Sequence, residues 1–261
     1  MAMEPILDVM GYLGIYRAAR QLRNRYLRPD LGNRSETLRE FYSQFIRPGD
    51  LVFDIGANRG DRTEVFVQMG ARVVAAEPQP SLAARLRTIF RYSQVHVEAV
   101  GVGRAPSILP LHVCTTDSVS SFSEQFIESR SKENLGRQWD RVEMVPIITI
   151  DSLIEKYGSP VFLKIDVEGF EGEVLAGLTH AVASLSFEVH PDDSIEIVAA
   201  CLEQLNKLSR YQFNIALEED LHFELPEWID AGSVTSAMRE IPASKWTYGD
   251  IYARRTDDHS N

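Results

Sequence analysis

The stretch VFDIGANRG, residues 52–60, decides how this chain is read. Val52, Phe53 and Ile55 flank a carboxylate, Asp54, in what reads as a buried strand. Gly56 and Gly60 then bracket a short turn, and a helix begins near Gly60. Glycine lets a backbone take unusual dihedrals and lets a ligand come close to the main chain. A second strand, RVVAAEP (72–78), ends on Glu77 and Pro78. An acidic residue there can accept two hydrogen bonds from a ribose diol, and its spacing from Gly56 fits a βαβ unit of about 30 residues.

The same alternation continues outward. The apolar runs at 95–102, 107–113, 143–150, 161–166, 185–190, 211–217 and 249–255 have strand lengths. Helical stretches are expected at 60–69, 80–90, 170–178 and 193–208. Strands alternating with helices imply an α/β, doubly wound, mostly parallel sheet, with ligands outside the carboxyl ends of its strands. Residues 114–142 are polar and poorly periodic, which reads as a mobile loop or lid with one short helix. Upstream, residues 5–27 form an amphipathic pattern carrying Arg17, Arg20, Arg23 and Arg25, and a second helix is expected at 35–46. The first suits a helix packed on the body, or a peripheral or homodimer contact. The expected organisation is a helical segment over 1–46, a catalytic domain over 47–255 and a flexible tail over 256–261.

The totals narrow the class. The chain has 261 residues, 44% hydrophobic and 25% charged, with a formal net charge of -11. This is globular composition, and its acidity argues against a nucleic-acid partner. Cys114 and Cys201 lack metal-like spacing and imply no disulfide framework, so a reduced, cytoplasmic chain is the simpler expectation. No basic leader precedes the first apolar stretch, and no run approaches the ~18 apolar residues of a membrane span.

Two cofactors compete for the first turn. A dinucleotide's pyrophosphate wants G-x-G-x-x-G and bare backbone at a helix N-terminus. This chain offers G-x-x-x-G with Asp54 just before it, and a carboxylate suits a cation rather than a pyrophosphate. S-adenosylmethionine (AdoMet), with a ribose, an adenine and a cationic methionine tail, fits better than NAD.

Taken together, DIGANRG, AAEPQP, LKIDVEGFEGEVLAG, FEVHP and the late GDIYARR resemble the FkbM family of AdoMet-dependent O-methyltransferases, over roughly residues 47–255. The resemblance implies a Rossmann-like class I methyltransferase fold of seven strands with the last antiparallel. It also implies a hydroxyl acceptor on a sugar, glycan or natural product. Asp54, Gly56, Asn58 and Gly60 would line the methionine end, and Glu77 and Pro78 the ribose. Ala99 and Val100 would lie near adenine, and Asp166 beside the sulfonium and the acceptor. Arg59 departs from the family pattern and would face solvent or an acidic acceptor.

A sugar hydroxyl has a high pKa, so a base or a metal should help remove its proton. Lys164 and Asp166 share one face of their strand, as do Glu188 and His190. His190 is the expected base, with Asp166 or Glu188 orienting it. Lys164 is expected to pair with a strand-end carboxylate, and Glu168 to meet the next helix N-terminus. In the rival mechanism Asp166, Glu168 and His190 would hold a divalent metal such as Mg2+. Ser118, Ser120, Ser121 and Phe122 are candidates for the acceptor pocket, while Trp139 and Trp246 suit core or loop anchoring. Two other functions fit less well: a non-catalytic AdoMet-binding or scaffold protein, and an NAD-dependent oxidoreductase.

Overall fold

The computed structural model describes residues 29–115, 119–132, 136–191, 193, 195–217 and 222–256. The amphipathic helix expected at 5–27, with the contacts proposed for it, lies outside these residues, as do Ser118 and most of the tail. Strands β1 (Leu51–Ile55), β2 (Arg72–Ala76) and β3 (Val95–Glu98) pair in parallel with β7 (Phe162–Ile165) and β8 (Ser184–Val189). β10 (Gly249–Arg255) runs antiparallel between β8 and β9 (Tyr211–Leu217). The order β3-β2-β1-β7-β8-β10-β9 is the expected doubly wound, seven-stranded, mostly parallel sheet. Its strand order reverses at β1, so the carboxyl ends of β1, β2 and β7 open a crevice.

The central strands β1, β7 and β8 are largely apolar because both faces are covered. On one face α1 (Pro29–Tyr42) and α2 (Asp61–Gln68) pack an aromatic cluster, with Tyr42, Phe66, Phe162 and Tyr252 at its centre. On the other, α6 (Glu171–Ala176), α7 (Ile195–Leu208) and α8 (Ala231–Glu240) bury the larger core against Ile55, Ile165, Phe187 and Ile215. α3 (Pro80–Ile89) covers the β2–β3 end through Leu86 and Phe90.

Four local expectations need correction. The apolar run 95–102 is two strands: the chain leaves the main sheet after Glu98, and β4 (Gly101–Val102) joins a second sheet. A Cβ on Gly101 would lie 2.5 Å from the Ile147 terminal methyl and 2.9 Å from the Phe122 ring, so a larger residue would have to displace those side chains. The runs near 107 and 143 are not strands of the main sheet. They are β5 (Ser107–Cys114) and β6 (Trp139–Ile148), antiparallel, in the order β4-β6-β5. Within 114–142 the short helix is α4 (Glu124–Lys132), but residues from Trp139 belong to β6, with the Trp139 indole N–H donating to the Val119 carbonyl at 3.0 Å. Two helices escape the apolar pattern, α5 (Ile150–Tyr157) and α8. Each starts at a side-chain cap: Thr149 Oγ1 accepts the Ser152 N–H, and Asp230 Oδ1 the Ser233 N–H. Those caps were the available signals.

The register lays a polar row across the sheet. Asp54 lies opposite Lys164, Lys164 opposite Ser186, and Ser186 opposite Tyr252. Two residues further toward the carboxyl ends, on the same face, come Gly56, Asp166 and Glu188. Asp250 of β10 is the register partner of Glu188. The expected site is therefore a layer of the sheet, shared among four strands.

Candidate active site

The crevice holds a cleft, open on one side. Its first wall is the turn after β1. Gly56 has φ +83, and a Cβ there would sit 1.7 Å from the Asp166 carbonyl oxygen, so the two strand ends touch through bare backbone. Asn58 follows with φ 49, unusual for a residue with a side chain. The turn is clamped from β2. One oxygen of Glu77 accepts the Asn58 N–H at 2.7 Å and the other the Gln79 N–H at 2.8 Å. Burial pushes the Glu77 carboxyl up to about 7, although both N–H bonds oppose the shift; the Asp54 charge adds to it.

Gly56, Asn58, Glu77, Pro78, Val100 and Asp166 all line this cleft. Three other residues expected at the cofactor do not. Asp54 is 2% exposed behind the wall, its carboxylate accepting the Thr63 hydroxyl at 2.5 Å. Burial raises its pKa, with Lys164 and Thr63 pulling the other way. Gly60 is a packing glycine, since a Cβ there would meet Leu86 at 2.7 Å and Phe90 at 2.8 Å. Ala99 is not in the lining, because the chain is already turning toward the second sheet there. Sequence reasoning missed Leu111 and Gln79, and it assigned Ser120 and Phe122 to the acceptor. Both line the same cleft, where the Gln79 amide donates to Ser120 Oγ at 3.2 Å. Arg59 is exposed and outside the cleft lining.

The far wall is the loop after β7. Glu168 has φ 56, and with Asn58 it is one of the two non-glycine residues of positive φ among the described residues; both face this cleft. Such strain persists where surroundings over-determine it. Here the buried Ser121 hydroxyl donates to the Glu168 carbonyl at 2.6 Å. Glu171 Oε1 accepts the Val167 N–H at 3.0 Å, and Phe126 of α4 closes over Gly169. Burial pushes the Glu171 carboxyl up to about 8.

Behind that loop lies a second cleft of similar size. It is walled by α4, α6 and α7 and lined by Phe126, Arg130, Glu171, Glu188 and Asp193 among others. Asp166 and Glu168 of the first cleft and Glu188 of the second each bring one carboxylate oxygen to within 4.8 Å of the others. Lys164, its side chain 3% exposed, donates to Asp166 at 2.6 Å. Burial alone would lower the Lys164 pKa; Asp166 and Asp250 outweigh it and keep the ammonium charged. Glu168 and Glu188 are raised well above the usual carboxylate range, first by burial and then by Asp166. Asp250, from the late GDIYARR stretch, is brought here by strand pairing.

His190 is placed differently from expectation. Its ring is packed edge-on to Phe126 and lines neither cleft. The carboxylates near it are Glu188 and Asp193, each at 3.7 Å, beyond hydrogen-bond distance. The close contact is its backbone N–H, which donates to Asp193 at 2.6 Å. The carboxylate set that could hold a cation is Asp166, Glu168 and Glu188, with Glu188 where His190 was expected.

Among the described residues no helix is long and apolar enough to cross a membrane. Hexuronic acid methyltransferase AglP of Haloferax volcanii is 28% identical over 175 residues, covering 62% of this chain and 67% of that protein. Precorrin-6y C5,15-methyltransferase from Geobacter metallireducens superposes with TM-score 0.42 at 14% identity, over 85% of this chain and 87% of the other. A TehB-like SAM-dependent methyltransferase from Corynebacterium glutamicum superposes with TM-score 0.43 at 11% identity, over 84% and 88%. The methyltransferase FkbM domain model matches residues 54–238, and the chain belongs to that family.

Proposed function

We propose, with membership of the FkbM methyltransferase family as the premise, that this protein is an AdoMet-dependent O-methyltransferase acting on a hydroxyl of a sugar, glycan or related natural product. The observation that carries the reading is one carboxylate cluster drawn from the linings of two clefts, which would set a donor and an acceptor side by side. A sugar acceptor draws support from the hexuronic acid methyltransferase of Haloferax volcanii. The buried Cys114 and Cys201 form no disulfide, which supports a cytoplasmic setting.

The first cleft fits AdoMet. Glu77 presents a carboxylate for the ribose diol, fixed in place by two backbone N–H groups. Val100, Leu111 and Phe122 offer an apolar slot for adenine, and the bare Gly56 backbone leaves room for the methionine end. When bound, the cofactor supplies an activated methyl group on a sulfonium. The chain's own residues then have two tasks. They hold the acceptor oxygen in line with that methyl, and they take its proton. Glu188 is the base this geometry favours. It lines the acceptor cleft, and its raised pKa makes it a stronger proton acceptor than an ordinary carboxylate. The Lys164 ammonium donates to Asp166 beside it. His190, held behind Phe126, would act as a positioning residue for Glu188 rather than as the base.

A second reading is favoured by the 4.8 Å cluster: the same carboxylates hold a divalent cation, Mg2+ being the hard ion such oxygens suit. EDTA treatment that abolishes turnover, restored by Mg2+, would select it. The main test is calorimetry with AdoMet followed by turnover on a panel of hydroxylated acceptors. Glu188→Gln should lower kcat about 100-fold and leave AdoMet affinity intact, while Glu77→Ala should weaken AdoMet binding about tenfold or more. No AdoMet binding would sink the proposal. Binding without methylation of any acceptor would leave a scaffold protein, and NADH affinity in place of AdoMet would restore the oxidoreductase.

A further inference from the structure

Ser121 is fully buried and lines neither cleft, yet its side chain is a hydroxyl. Alanine would fill nearly the same space, so packing alone does not call for the oxygen. That oxygen donates to the Glu168 carbonyl at 2.6 Å, across 47 residues of chain, and accepts the Ser123 N–H at 2.8 Å. The Ser121 backbone is fixed independently, because Ser121 and His112 of β5 exchange both N–H···O bonds, each at 3.0 Å. The preceding Ser120 hydroxyl accepts the Gln79 amide and the Cys114 N–H. The Ser121 hydroxyl thus acts from a base anchored on the second sheet and on the turn after β2.

Glu168 is the residue that needs holding. Its φ of 56 is one that L side chains rarely adopt, and Gly169 follows with φ 87. Such a conformation persists where its surroundings over-determine it. Glu171 holds the start of the loop by accepting the Val167 N–H. Ser121 holds the middle, and Phe126 closes on Gly169, where a Cβ would come within 2.6 Å of it. The conformation so held brings a Glu168 carboxylate oxygen within 4.8 Å of oxygens of Asp166 and Glu188. Turning Glu168 to an ordinary negative φ would redirect its side chain away from them.

We propose that Ser121 is a positioning residue for methyl transfer: its hydroxyl locks the Glu168 peptide in the left-handed conformation that keeps the Glu168 carboxylate beside Asp166 and Glu188. The inference rests on the O-methyltransferase reading above and extends the machinery to a residue of the segment between β5 and β6. In-line transfer depends on placement, and a misplacement of about 1 Å can lower a rate about 100-fold.

The experiment uses the full-length protein, radiolabelled AdoMet, and methyl hexosides and methyl hexuronosides as acceptors. Ser121→Ala should lower kcat about tenfold or more and leave the AdoMet Kd within about twofold of the parent by calorimetry. Glu168→Ala should lower kcat at least as far. In the Glu168→Ala background, Ser121→Ala should cost less than about a further twofold, because residues that act through one another are not additive. Ser121→Cys keeps the volume with a weaker donor. Its kcat should fall between parent and alanine variant, and it carries the comparison if the alanine variant does not fold. Equal losses from Ser121→Ala with and without the Glu168 carboxylate would reveal a general loosening of α4 and overturn the assignment. An unchanged kcat in Ser121→Ala or in Glu168→Ala overturns it too, with the methyltransferase reading left standing. A parent that binds AdoMet and methylates none of these glycosides overturns the sugar O-methylation reading and the assignment with it.

Discussion

The two walls of the crevice are built in opposite ways. The β1–β2 wall comes from one contiguous stretch, 54–79, in which neighbours in sequence are neighbours in space. Gly56, Asn58 and Glu77 reach the cleft through a single βαβ turn, and Glu77 bonds straight back to that turn. The β7–β8 wall is assembled from distant parts. Asp166 and Glu168 come from one strand end, Ser121 and Phe126 from the insertion, Glu188 from the next strand, and Asp250 from near the C-terminus. The first wall relies on backbone shape and little charge. The second relies on charge balance: one buried lysine holds its carboxylates together. Backbone shape tolerates almost no change, whereas a charge cluster can redistribute protons.

That contrast can be broken by mutation. The largest effect is expected at the joint between the walls. Gly56→Ala puts a methyl into the Asp166 carbonyl in a left-handed conformation, and should cost about 4 kcal/mol or more, seen as loss of cooperative thermal unfolding or of soluble protein. Lys164→Met should follow. Removing one partner of a buried ion pair costs about 3–5 kcal/mol, and the lower end applies because the Asp166 side chain is 33% exposed. Urea unfolding measures it, and a loss below about 1 kcal/mol would mean the cluster sheds its charge by taking up protons.

A third effect is a pH slope. Glu77 and Glu171 have carboxyls raised from ordinary values to about 7 and about 8, chiefly by burial. In that window the unfolded chain has released these protons and the folded one has kept them. Stability is therefore full below about pH 4.5 and falls as pH rises through 7 and 8, by on the order of 1 kcal/mol per pH unit for each group. Glu171→Gln keeps the acceptor for the Val167 N–H and removes one of the two slopes, so its melting temperature should exceed that of the parent at pH 8 and not at pH 4.5. Equal slopes in parent and variant would show that water reaches Glu171.

Sequence and structure agree where the chain reports on itself locally. The alternation of apolar runs with helical stretches determined the doubly wound sheet. The order of DIGANRG, AAEPQP and LKIDVEG determined the family and five of the expected cofactor residues that line the first cleft. Glycines at 56 and 60 looked alike in the sequence, yet one meets a strand end and the other a helix. Nothing local distinguishes them, because the obstacle to a Cβ lies 110 residues away for Gly56 and 26 for Gly60. His190 looked like the base because histidine has the right chemistry and stands at a strand end. Phe126, from a helix between two strands of a separate sheet, turns it away from both clefts.

The sequence by itself determined the fold class, the cofactor-side turn and the identity of the carboxylates at the ends of β7 and β8. Only the tertiary structure decided which of them face one another, that Asp250 joins them and that a second cleft opens behind Glu168. Strand order and register set those relations, and they arise from long-range pairing and burial, which leave no spacing in the chain to read.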